Sequence, residues 1–89
     1  MNYSELTQKF WQYNQKDSLG ATAIAFYFLL LDKYIANNYG NFTISDVELS
    51  TQLKLSRNTI KVTKNKLRNL GLIHYHSKTG VPCFYKIIT

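Results

Sequence analysis

Residues 44–73 read ISDVELSTQLKLSRNTIKVTKNKLRNLGLI, and their spacing decides the fold. Ser45 stands before an apolar run, with Glu48 three residues on. That is a capping box: Ser45 accepts from the Glu48 amide, and the Glu48 carboxylate reaches back to the Ser45 amide. Leu49 and Leu53 recur at i, i+4 on one helical face. The chain then turns at Lys54-Leu55-Ser56, with Leu55 as an apolar plug and Ser56 as a second N-cap. Ile60, Thr63, Leu67 and Leu70 form the buried stripe of the next helix. Gly71 falls where a left-handed C′ residue ends it. Two helices joined by so short a turn meet at a steep angle, as a helix-turn-helix does.

The outward face of the second helix carries the chemistry. At 3.6 residues per turn, Arg57, Asn58, Lys61, Val62, Asn65, Arg68 and Asn69 point away from the Ile60/Leu67 stripe. The face holds cations and carboxamides and no acid. Arginine pairs with guanine, asparagine with adenine, and lysine with phosphate or guanine, all within reach of a major groove. A merely solvated face mixes both signs so that i, i+4 pairs can form. Ser56, Arg57, Asn58, Thr59, Lys61, Asn65 and Arg68 are therefore the candidate DNA contacts.

Charge is distributed to match. Residues 1–48 carry three lysines against five acids, a net of −2. Residues 49–89 carry eight lysines and arginines and no acid, a net of +8. One half of a small domain is thus a positive surface, the footprint of a polyanion binder. The 89 residues suffice for one domain with a modest core. A hydrophobic fraction of 45% argues against disorder. Cys83 is the only cysteine, which excludes an internal disulfide and fits a reducing cytoplasm. The apolar run 21–31 is shorter than the roughly 20 residues that span a bilayer, and no signal pattern is visible. A cytoplasmic protein without a membrane segment is expected. A chain ending just after a strand is also compatible with a fragment of a longer protein.

In chain order, residues 1–15 read as an N-terminal helix, with Asn2 and Glu5 as a second capping box. Its stripe of Leu6, Phe10 and Tyr13, with Tyr3 and Trp11 beside it, is unusually aromatic. It either caps the core or leaves Tyr3, Phe10, Trp11 and Tyr13 over as an interface. Residues 21–38 form the longest helix. Ile24, Phe28, Leu31 and Ile35 set its stripe and Phe26, Tyr27 and Leu30 widen it, so it is central. Gly40 supplies positive φ in the turn at 37–41. Phe42-Thr43-Ile44 can add an extended piece beside a sheet. After the motif at 45–71, residues 72–89 alternate around a Lys78-Thr79-Gly80-Val81-Pro82 loop. This is a hairpin with a basic tip at Lys78. It serves either as a wing whose tip meets the sugar-phosphate backbone or as a plain edge hairpin guarded by lysine.

Enzyme chemistry is not expected. No glycine-rich phosphate loop, nucleophile elbow or paired carboxylates are present. His74, His76 and Cys83 lack the second ligand pair that a structural zinc needs. The histidines are expected to flank the DNA face, and Cys83 to be a buried apolar thiol. No metal or cofactor is expected.

The run from Leu49 to Ile60, continued through Leu67 to Leu70-Gly71-Leu72-Ile73, resembles the winged helix-turn-helix of bacterial DNA-binding domains such as the GntR-type regulators. The wider layout and the start Phe10-Trp11-Gln12-Tyr13-Asn14 look closer to the N-terminal domain of DnaD-like replication initiation proteins of bacteria and phages. The resemblance implies an α+β winged helix over residues 1–89, with an extra N-terminal helix and order α-α-β-α-α-β-β. It implies duplex DNA binding through the recognition helix and through Lys78 at the wing tip. It also implies self-association as a dimer, or binding to other replication proteins. Transcription regulation and a pure protein-interaction scaffold are the alternatives. Three positions depart from the motif: Ser50 where alanine is usual, Lys54 where glycine is common, and Lys64 where an apolar residue is usual.

Overall fold

A computed structural model describes residues 3–16 and 20–88, with the side chains of 13, 15 and 16 outside that description. The chain runs α1 (Tyr3–Lys16), α2 (Gly20–Ala36), β1 (Phe42–Ile44), α3 (Asp46–Leu53), α4 (Arg57–Asn69), β2 (Ile73–His76) and β3 (Cys83–Ile87). Among the described residues it is an α+β fold of four helices and one small antiparallel sheet ordered β1-β3-β2. Asn2, the expected cap of α1, lies outside the described residues.

The sheet has two unlike faces. Phe42 and Ile44 pair with Tyr85 and Cys83, and Ile73 and Tyr75 pair with Ile87 and Tyr85. These residues face the helices and are buried, Tyr75 only partly. The alternate positions Thr43, His74, His76, Phe84 and Lys86 are exposed on the other side. Helices α2 and α4 pack on the inner face, and α1 packs on α2. Phe10 of α1 stacks on Tyr27 of α2 at 4.4 Å between ring centroids.

The buried stripe of α2 is rotated from the expected one. Ala23, Phe26, Tyr27, Leu30, Leu31 and Tyr34 are buried, while Ile24, Phe28 and Ile35 are only partly so. Tyr27 meets Phe10, and Tyr34 meets Tyr39 edge-on at 5.6 Å, so the two tyrosines turn the helix toward their partners. The helix also stops at Ala36, two residues before the expected end.

Three helices end through the same device. The amides of Tyr39, Leu55 and Leu72 donate to the carbonyls of Tyr34, Ser50 and Leu67, five residues back. In each case a left-handed residue comes just before: Asn38 at φ 56°, Lys54 at φ 56° and Gly71 at φ 76°. This is the Schellman closure. Gly40 is not the positive-φ residue of its turn; Asn38 and Tyr39 are. Glycine at 40 avoids a tight contact, because a Cβ there would lie 3.0 Å from the Asn37 carbonyl oxygen.

Candidate nucleic-acid interface

Helix α4 is fixed at both ends by its own sequence. The Ser56 hydroxyl accepts from the Thr59 amide at 3.1 Å and lies 2.9 Å from the Thr59 hydroxyl. Both side chains are thus engaged in the cap, which uses one of their two hydroxyl hydrogens and leaves the other open to a ligand. Ile60, Thr63 and Leu67 are buried as expected. Arg57, Asn58, Lys61, Val62, Asn65, Arg68 and Asn69 are exposed. The turn before α4 is held by Ser50, whose hydroxyl donates to the Leu55 carbonyl. That bond is why serine serves where alanine is usual.

Lys64 is 6% exposed, the most buried cation of α4. Its ammonium donates to both carboxylate oxygens of Asp46, at 2.9 and 3.2 Å, and lies 4.9 Å from the centre of the Tyr75 ring. The stem fills the space an apolar residue would take, and the charge is paired. The acid therefore comes from the other half of the sequence, at the start of α3. Arg68 lies 4.4 Å over the same Tyr75 ring and donates to the Asn65 side-chain oxygen at 2.8 Å. Tyr75 on β2 is thus a post that holds two cations of α4, and sequence reasoning missed it. The signal was present: Lys64 and Arg68 stand one turn apart, and Tyr75 is the inward residue of the strand that follows.

The β2–β3 hairpin carries Lys78 at an exposed turn, with the Val81 amide donating to the Lys78 carbonyl at 3.3 Å. Gly80 takes φ +83° there, the third position of a type II turn. Between α4 and this hairpin lies a groove of about 610 Å³ lined by Asp46, Lys61, Val62, Lys64, Asn65, Tyr75 and Ser77. A neighbouring hollow of about 390 Å³ continues it under Gly80 and Pro82. Lys61 and Asn65 stand on the helix side, while Lys78 stands at the hairpin tip.

Other expected residues fall elsewhere. His74 and His76 sit on the outer sheet face, turned away from α4, because Tyr75 between them points inward. They do not flank the α4 face. Cys83 is buried on the inner face, with its thiol donating to the His76 carbonyl at 3.5 Å. In α1, Tyr3 and Trp11 are 45% and 42% exposed. Phe10 is fully buried, so it belongs to the core and not to an exposed interface stripe. The side chain of Tyr13 lies outside the described residues. No helix among the described residues is long and apolar enough to cross a membrane. Comparison with protein-family models, curated proteins and solved structures finds no match, so the reading of this surface rests on its own residues.

Proposed function

We propose that the chain is a winged-helix domain that binds duplex DNA. In this reading α4 enters the major groove and the β2–β3 hairpin lies along the backbone as a wing. The observation that carries it is the exposed face of α4, where Arg57, Asn58, Lys61, Asn65 and Arg68 stand together with no acid among them. Arg57, Asn58 and Lys61 read base edges. Lys78 meets phosphate. The Arg68–Asn65 pair is held in place by Tyr75 and opens to contact a base or a phosphate. The domain works as a binding module without a cofactor, in the cytoplasm. Its layout suits a replication initiation protein of the DnaD-like kind, and transcription regulation would use the same face. Exposed Tyr3 and Trp11 favour self-association through α1, which would set two α4 helices on one duplex.

Fluorescence anisotropy of a mixed-sequence duplex tests this at about 50 and 200 mM salt. Lys78 on phosphate, with Arg68 joining it, gives a loss of roughly tenfold between the two conditions. A folded protein that binds no duplex at the lower salt would sink the reading and leave the scaffold role through α1.

A further inference from the structure

The geometry points to a second nucleic-acid surface: the outer face of the sheet is a stacking platform for single-stranded DNA. Five side chains make this face: Thr43, His74, His76, Phe84 and Lys86. None is a carboxylate. Phe84 lies on β3, the central strand, yet its side chain is 42% exposed. The open face of an antiparallel sheet is normally polar. An aromatic ring at its centre, with strands on both sides, leaves apolar surface open to solvent.

The register supplies the rest. His76 lies directly opposite Phe84 on β2, and Thr43 lies opposite it on β1. Directly opposed Cβ atoms are about 5 Å apart, so the His76 imidazole stands beside the Phe84 phenyl ring on this face. Lys86 is two residues further along β3, about 6.8 Å away, opposite His74. Aromatic rings on an antiparallel sheet stack unpaired bases, and histidine serves in this role as well as phenylalanine. Stacking tolerates any base, and nearby cations track the phosphates. A duplex offers no free base faces to such a surface. A second copy of the chain is a poorer occupant, because one phenyl ring among cationic and polar groups is far less apolar area than a stable dimer buries. The choice of DNA over RNA rests on the duplex reading of α4; the platform itself does not. The sheet face and α4 lie on opposite sides of the sheet, so a duplex and a separated strand could be held at once.

Anisotropy of a labelled oligo(dT) of about 12 nucleotides, measured on the whole chain, tests the platform. The parent should bind it, and Phe84→Ala should weaken it about tenfold while leaving duplex affinity within about twofold. Arg57→Ala should do the reverse. Should Phe84→Ala fail to fold, Phe84→Leu, which keeps apolar bulk and removes the ring, should show the same loss, and Phe84→Tyr should bind like the parent. Oligo(dT) affinity unchanged in both Phe84→Ala and Phe84→Leu would overturn the proposal, as would a parent that ignores oligo(dT) at low salt. Oligo(U) bound as tightly as oligo(dT) would overturn the assignment to DNA. Phe84-dependent binding of oligo(dT) with no duplex binding would support the platform and remove the role given to α4.

Discussion

Tyr85 is fully buried, its ring stacked on Phe42 at 5.7 Å, and its hydroxyl makes no hydrogen bond of ordinary geometry among the described residues, with only the weakly bonding Cys83 thiol beside it. A buried hydroxyl left unpaired costs about 1–3 kcal/mol. Tyr85→Phe keeps the ring and removes that cost, so it should raise stability by about 1 kcal/mol in urea unfolding. The same burial pushes the Tyr85 hydroxyl far above its ordinary value of 10, with Cys83 and Asp46 adding to it. Burial, with Tyr34 nearby, pushes Tyr27 up to about 12. Both groups stay neutral in the folded protein at a pH where the unfolded chain already ionises. Both contributions are whole below pH 10; that of Tyr27 is lost as pH rises from there through about 12, and that of Tyr85 goes on being lost beyond it. Stability should therefore fall above pH 10, and less steeply in Tyr85→Phe. Equal slopes in parent and variant would mean that Tyr85 ionises alike in both states. Lys54 is a second strained residue, held at φ 56° and ψ 44°. A side chain in that region costs on the order of 1 kcal/mol, partly offset in glycine by its greater freedom when unfolded. Lys54→Gly should gain about 0.5 kcal/mol, read as a higher urea midpoint at constant slope.

At the scale of elements, α4 is held by what lies outside it. The Asp46–Lys64 pair ties the first turn of α3 to the middle of α4, and Tyr75 ties α4 to β2. Asp46→Ala strands a buried ammonium and should cost about 2 kcal/mol, less than a fully buried pair because the carboxylate is part exposed. Lys64→Met added to it should restore most of that, since a thioether fills the same space without a charge. If the double variant is no more stable than Asp46→Ala, the stem packing of Lys64 and not its charge is what matters. These ties also mark where the sequence stopped being readable. The α3–α4 boundaries, the Ser45 and Ser56 caps and the Gly71 stop are local, and each follows from a few adjacent residues. The ends of α2 and α3 use the same closure with asparagine and lysine, where no glycine announces it. The rotation of α2 depends on Phe10 and Tyr39, which come near only in the fold. Tyr75 was legible as an inward residue, but that it holds Lys64 and Arg68 is a tertiary fact.

For the whole molecule, the fold trims the charge asymmetry of the sequence. The second half of the chain carries +8 in sequence, yet Asp46 crosses over to neutralise Lys64, so the groove floor between α4 and the hairpin is close to neutral. Around this groove, exposed cations stand on both sides, Arg57, Lys61 and Arg68 along the helix and Lys78 at the hairpin tip. These sides should act differently on a duplex. Lys78 extends from a turn, where a point charge meets phosphate without reading sequence. Lys78→Ala should weaken every duplex alike and lower the slope of log affinity against log salt by about one. Arg57 and Asn58 lie at the exposed start of α4 beside the Ser56 cap, and the proposed reading gives them the base edges. Arg57→Ala or Asn58→Ala should cost roughly 1–3 kcal/mol on the preferred site and much less on unrelated sequence, so the preference itself narrows. Anisotropy titrations of each variant on a selected site and on a scrambled one, at two salt concentrations, separate the two effects. Should Lys78→Ala alter preference while Arg57→Ala shifts only the salt slope, the hairpin would be the reading element and α4 the backbone clamp. The groove between them would then lie across the sugar-phosphate chain and not astride a base edge.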